Sequence, residues 1–251
     1  MSADAFFFLA DSAADPAENL ALEELLLQPY VRDPLAPAIL RLWENIRPAV
    51  VLGRGDRAAE RVRLDRAAAR GIPVLRRVSG GGPVVHGPGN LNISFFLPYW
   101  LHPDLGNLRA SYRLILGWVQ DAMEATTGRR PEHPEGSDLA LQGRKIAGSA
   151  QARRRHGLLH HMTLLVDMDL DLVDELLKAP DRAPDYRAGR AHGDFITTLR
   201  REGLAFDRRR FLETLLGRWE HRPYMLAGET RAEAARLATA KYADPGWNLE
   251  R

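Results

Sequence analysis

Apolar residues recur along this chain with two periods, close to two in some runs and close to 3.6 in others. The period-two and β-prone runs are Ile39-Leu40-Arg41-Leu42-Trp43, Ala49-Val50-Val51-Leu52, the stretch through Ile72, Val74 and Val78, the pair Val84-Val85, and Leu91, Ile93, Phe95 and Leu97 alternating with Asn92 and Ser94. The first two read as strands parted by a turn near Asn45 to Pro48. Asp15-Pro16-Ala17-Glu18 supplies an N-cap, a proline at the first helical position and a glutamate three residues after the cap, which predicts a helix to about Gln28. Alanine-rich Arg57 to Arg70 predicts a second helix with Gly71 as its stop, and Leu108, Tyr112, Ile115, Leu116, Val119 and Met123 share one face of a third that ends at Gly128. Asp138 to Leu141 and Arg144 to Gln151 read as a hairpin around Gln142-Gly143, returning through Leu158 to Val166. Short helices are expected at Asp169 to Ala179, Asp207 to Trp219 and Glu229 to Lys241. Pro98 to Gly106 and Pro180 to Phe195 read as irregular, the latter carrying Tyr186, Arg187, Arg190 and His192. No internal repeat, low-complexity tract or clear linker divides residues 1–251, so one compact domain is expected.

The centre of the chain is strand, helix, strand, loop, strand, and the loop is Gly80-Gly81-Gly82. Glycine in a strand region packs nothing, so it marks a turn, a bulge or a place where a ligand meets the main chain. Arg76, Arg77 and Ser79 just upstream, with uncovered N–H groups after them, suit a phosphate; the same residues would also make a plain hairpin loop with solvated arginines. No Gly-Lys-Ser/Thr follows and no helix pattern begins there, which disfavours P-loop and Rossmann sites.

Composition narrows the chemistry. At 251 residues and 45% hydrophobic content the chain can bury a full core. No apolar run approaches the roughly 20 residues of a membrane helix, and Phe6 to Ala10 is too short for a secretory signal, so a cytoplasmic protein is expected. Cysteine is absent, which removes disulfides, thiolate metal sites and every cysteine nucleophile. A formal charge of +2 argues for no nucleic-acid partner, and no His, Asp or Glu grouping has zinc spacing. Lys145, Lys178 and Lys241 are the only lysines. Lys145 lies on a central strand of the meander, next to small residues Gly148, Ser149 and Ala150 that let a bulky group lie across it.

With Ser79-Gly80-Gly81-Gly82, His86, Gly89-Asn90, Asp138, Lys145-Ile146-Ala147-Gly148-Ser149-Ala150-Gln151 and His160-His161 in this order, the chain resembles lipoate-protein ligase A. The resemblance runs from about Ile39 to Asp167. It implies an α+β fold of mixed, largely antiparallel sheets flanked by helices, shared with biotin protein ligases. It implies that ATP activates lipoate or octanoate to acyl-AMP, with Mg²⁺, and that a lysine of a lipoyl carrier domain then takes the acyl group. Lys145 matches the essential lysine, bridging acyl oxygen and α-phosphate. Arg76, Arg77, Ser79, Gly80, Gly81, Gly82, Pro83, Val84, Val85, His86, Asn90, Asp138, Gly148 and Ala150 match the adenylate-binding segments, with Asp138 also a candidate for Mg²⁺. The acyl chain is expected between Val50, Leu52, Val74 and Val85, with His161 at its side.

The chain departs from the family pattern at Gly87, where the family often has Asp, and at Met162, where it often has Gly and where a methionine is expected to narrow the acyl pocket. The C-terminal accessory domain of longer ligases has no counterpart, which implies a short form or a separate accessory subunit. Three rival readings stand beside this one: an octanoyl or lipoyl transferase, whose usual cysteine is missing here; a biotin ligase, whose glycine-arginine motif is not matched; and a non-catalytic subunit that binds acyl-adenylate or a carrier domain.

Overall fold

The computed structural model describes residues 6–134, 136–180 and 183–250. Among the described residues ten strands form two sheets: β1 (Phe6–Ala10), β2 (Ala38–Trp43), β3 (Ala49–Leu52), β4 (Val74–Arg76), β5 (Val84–His86), β6 (Asn90–Pro98), β7 (Asp138–Leu141), β8 (Arg144–Arg153), β9 (Gly157–Leu165) and β10 (His221–Pro223). The larger sheet has the order β10-β1-β2-β6-β9-β8-β7 and the smaller β4-β3-β5. β1 runs parallel to β2 and β10, and β3 parallel to β4; every other pairing is antiparallel, as expected for a mixed, largely antiparallel α+β fold.

Strand β6 sits in the middle of the large sheet, so both its faces are covered and all nine residues are buried. On one face Leu91, Ile93, Phe95 and Leu97 meet α5 (Leu108–Thr127) and α8 (Arg208–Leu216) in the main core. On the other, β2, β6 and β9 pack under α1 (Pro16–Leu27) and the inner face of the small sheet. Helix α1 begins where its sequence signals: Asp15 caps it by accepting from the Ala17 N–H, and Pro16 opens the first turn. Helix α5 ends at Gly128 in the left-handed region, φ 72°. No helix among the described residues is long and apolar enough to cross a membrane.

Three expectations change on folding, and one strand, β1, has no expectation attached to it. The strands at 38–43 and 49–52 are not partners; the turn between them carries the chain from one sheet to the other. The helix expected over 57–70 splits into α3 (Ala58–Arg61) and α4 (Leu64–Ala69), because buried Val62 leaves the helix to bridge Leu177. Strands β4 and β5 do not form a hairpin, since both pair with β3 on opposite sides, and residues 77–83, the glycine loop, therefore cross over the end of β3. The phenylalanines of β1, which show no period-two alternation, form an inner strand through their two parallel partners.

Candidate functional site

The large and small sheets leave a cleft between them, floored by β6, β9, β8 and β7 and roofed by the glycine loop and β5. The floor follows from register. Asp138, Gly148, Thr163, Asn92 and Trp43 are successive cross-strand partners, and Ala150, His161, Ser94 and Arg41 form the next row on the same face. A β-bulge completes it. The pairing steps from Leu139–Ala147 to Ala140–Lys145, so β8 carries one extra residue, which returns Lys145 to the face of Gly148 while Ile146 and Ala147 both enter the core.

Lys145 Nζ lies 2.8 Å from Asp138 Oδ1, and Tyr186 donates to Asp138 Oδ2 at 2.8 Å. The lysine side chain lies across Gly148, where a Cβ would stand 2.7 Å from Nζ; no other residue type leaves room for this path. Burial and the neighbouring Asp138 carboxylate push the Tyr186 hydroxyl above its ordinary value, so it stays a donor. The Lys145–Asp138 pair borders two cavities at once. One is a slot of about 140 Å³ lined by Leu20, Trp43, Arg77, His86, Asn92 and His161 among others. The second is about 490 Å³, with apolar walls from Val85, Leu165, Met168 and Phe195 and a cationic rim of Arg61, Lys178 and Arg187; His192 also lines it, held neutral by burial and by Arg187.

The glycine loop is held by polar groups, not by packing. Arg77 turns inward, donating to the carbonyls of Gly80 at 2.5 Å, Gly82 at 3.0 Å and Val51 at 3.1 Å, and to Ser79 Oγ at 3.0 Å. Burial lowers its guanidinium to about 10, which leaves it charged. Gly81 has φ +88°, and its carbonyl oxygen lies 1.8 Å from where a Cβ on Gly53 would be, so the loop can cross β3 only above a glycine. Ser79 Oγ meets His161 Nε2 at 2.6 Å, and His161 Nδ1 meets Glu23 Oε2 at 2.9 Å, tying loop, sheet and α1 together. Burial opposes the charge on Glu23, but His161, the Ser94 hydroxyl and Arg41 outweigh it and hold the carboxyl below its ordinary value.

Most of the residues singled out in the sequence converge here. Lys145, Asp138, Gly148, Gly82, Pro83 and Val84 border both cavities; Arg77, Gly81, His86, Ala150 and His161 border the slot, and Val85 the larger cavity. Others do not. Arg76 is 0% exposed, and its guanidinium donates to five main-chain carbonyls, those of Gly53, Arg54, Asp56, Trp247 and Asn248. Ser79, Gly80 and Asn90 border neither cavity, and Asn90 instead donates to the Val85 carbonyl. Val50, Leu52 and Val74 border neither cavity: strand alternation turns them to the outer face of the small sheet, against α3, α4 and α6 (Asp171–Leu176). Met162 packs in the main core with Ile93 and Leu164, and it also borders the slot between His161 and Thr163. His160 and His161 face opposite ways, His160 lying against Phe95 and Tyr112.

The sequence reading missed Glu23, Asn92, Thr163 and Tyr186. Glu23 had a signal, an acid in the helical face of Leu20 and Leu27. Tyr186 had none, because an irregular segment fixes no side chain in advance. Among the described residues Asp138 is the only carboxylate lining either cavity, both its oxygens are engaged, and no group of three or more potential metal ligands exists. Mg²⁺ is typically held by one or two carboxylates together with substrate phosphates, and Asp138 is the carboxylate among the described residues that would supply one.

Residues 15–220 match the family model described as lipoyl protein ligase A/B catalytic domain. The chain is 28% identical to lipoate–protein ligase 1 of Staphylococcus aureus, over 98% of this chain and 73% of that protein. It is 32% identical to octanoyltransferase LipM of Carboxydothermus hydrogenoformans, over 68% of each. A solved bipartite lipoate protein ligase of Thermoplasma acidophilum superposes with TM-score 0.82 at 24% identity, over 99% of this chain and 98% of that one.

Proposed function

As this chain belongs to the lipoyl protein ligase A/B catalytic-domain family, whose relatives include both ligases and octanoyltransferases, we propose that it is a ligase: it activates lipoate with ATP and passes the acyl group to a lysine of a lipoyl carrier domain. The observation that carries this reading is the Lys145–Asp138 pair at the junction of two cavities of unequal size. The 490 Å³ cavity falls within the range of about 300–1,000 Å³ typical of ligand pockets, and its cationic rim suits the phosphates of ATP. The 140 Å³ slot is too small for a nucleotide and takes the acyl chain. The chain's carboxylate then meets the α-phosphate beside Lys145. There the carboxylate oxygen attacks phosphorus, pyrophosphate leaves, and the carrier lysine amine later attacks the anhydride carbonyl and releases AMP. Lys145 neutralises the charge gathered where two anions meet, while Asp138, held from behind by Tyr186, keeps the ammonium in place. Mg²⁺ would offset the charge of the nucleotide phosphates, with Asp138 the carboxylate available to it among the described residues.

A second reading, acyl transfer between carriers, has the octanoyltransferase relative in its favour. The chain has no cysteine to hold an acyl group. Ser79 has a hydrogen-bonded histidine and glutamate behind it, but it is 1% exposed and borders neither cavity. ATP–pyrophosphate exchange separates the two. Lipoate-dependent exchange, lowered about a hundredfold in Lys145→Ala, is expected. Transfer from an octanoylated carrier with no exchange would replace the ligase by the transferase.

A further inference from the structure

The C-terminal residues 241–248 support the glycine loop from outside the cleft. Strand β4 is an outer strand of the small sheet, paired with β3. On the side of β4 away from β3, two side chains take the place of a further strand. The Arg76 N–H donates to Asn248 Oδ1 at 2.9 Å, and the Arg76 carbonyl accepts from Trp247 Nε1 at 3.0 Å. The Arg76 guanidinium then joins two segments, donating to the Trp247 and Asn248 carbonyls at 2.9 and 2.8 Å and to those of Gly53, Arg54 and Asp56 at 2.9, 3.2 and 2.7 Å. Residues 53–56 are the turn that the glycine loop crosses: the Arg54 N–H donates to the Ser79 carbonyl at 2.8 Å, and the Gly81 carbonyl sits over Gly53. The same C-terminal residues also grip α1. Asn248 Nδ2 donates to the Tyr242 carbonyl at 2.7 Å, the Tyr242 hydroxyl and Lys241 Nζ each donate to Glu24 Oε2 at 2.7 Å, and Lys241 Nζ stands 4.0 Å from the centre of the Trp247 ring. Glu24 adjoins Glu23, whose partner His161 holds Ser79. All of these C-terminal residues lie beyond residue 220, where the match to the family model ends.

We infer that Trp247 and Asn248 are positioning residues for both substrates: through Arg76 they fix the path of the glycine loop, whose Gly82, Pro83 and Val84 border both cavities. The inference rests on those cavities being the substrate sites of the proposed ligase. Lys145 and Asp138 belong to the floor across the cleft, on β8 and β7. A loop released from its support therefore loosens the roof and leaves the charged pair in place, so that binding weakens while bound substrates still react. The test uses Trp247→Phe, which keeps a ring beside Lys241 and removes the donor to Arg76, and Asn248→Leu, which removes both side-chain bonds of Asn248. Pyrophosphate exchange gives kcat and the KM of ATP and of lipoate, and hydrogen exchange read by mass spectrometry follows the backbone amides of residues 77–86. Both KM values should rise about threefold in Trp247→Phe and about tenfold in Asn248→Leu, with kcat within about twofold of wild type and the loop amides exchanging about tenfold faster. KM values within twofold of wild type, or loop amides exchanging at the wild-type rate, would overturn the inference, whatever the variants do to the melting temperature. If the wild type catalyses no pyrophosphate exchange, the ligase reading fails, and the loop amides alone then decide whether these residues position the loop. Trp247 is half-buried and phenylalanine is a conservative change there, so a misfolded Asn248→Leu leaves the test intact.

Discussion

Gly148 shows how much chemistry can depend on an absent side chain. Its Cβ position lies 2.7 Å from Lys145 Nζ and 2.8 Å from Cε, the flexible end of a long side chain, so Gly148→Ala pushes the lysine aside without disturbing the strand. The expected outcome is a melting temperature close to wild type with kcat lowered about ten- to a hundredfold, read by thermal melting and pyrophosphate exchange on one preparation. A large loss of stability would show instead that the site is packed more rigidly than the lysine path implies. Sequence reasoning picked Gly148 as a place where something bulky crosses the strand; the bulky group is the chain's own lysine. Arg76 and Arg77 make the opposite point. They are neighbours of one type, yet one closes a shell of carbonyls with the C-terminal residues Trp247 and Asn248, and the other organises the glycine loop. Nothing in the pair Arg-Arg distinguishes the two, because the strand's pleat and its partners decide which way each points.

Helix α1 is the element that joins the site to the rest of the fold. It carries Glu23 into the floor beside His161 and Ser94, and its outer side packs on α9 (Gly228–Leu237) and the turn after it, where Lys241 and Tyr242 meet Glu24. Removing its cap with Asp15→Ala should cost about 1 kcal/mol in urea unfolding and leave the acid preference unchanged. An altered acid preference would mean that the start of the helix, and not Glu23 alone, positions the slot. The glycine loop is an element of another kind, with no repeating hydrogen-bond pattern. Its path is set by Arg77 from below, by Ser79–His161 at one side and by the need to clear Gly53.

At the scale of the whole molecule, burial of two neutral histidines couples the fold to pH. Burial depresses both His86 and His160 to about 3, well under the ordinary 6.5. In the unfolded chain each takes up a proton near pH 6.5, so below that value the unfolded state binds more protons and stability falls as the pH falls. The stability from these histidines is complete above about pH 6.5 and drains away toward pH 3, at about 1.4 kcal/mol per pH unit for each. Glu23, held below its ordinary value, adds a loss in the same direction at more acid pH. Urea unfolding between pH 8 and 5 should show this slope, and His160→Phe should remove about half of it; an unchanged slope in that variant would place the coupling elsewhere.

The helices α1, α5 and α8 with their Asp15, Gly128 and Asp207 caps, the strands from β2 to β9 and the hairpin at Gln142-Gly143 are local, and the sequence by itself determined them. Hydrophobic period and capping residues act within a few residues of one another, so they can be read along a line. What tertiary structure decided is everything that depends on which strand lies beside which. It divided the strands between two sheets, turned Val50 and Leu52 away from the slot, used a bulge to bring Lys145 over Gly148, and set Glu23, Thr163, Asn92 and Tyr186 into one site from four separate elements. Those placements follow from register and from packing between distant segments, and neither leaves a periodic trace in the chain.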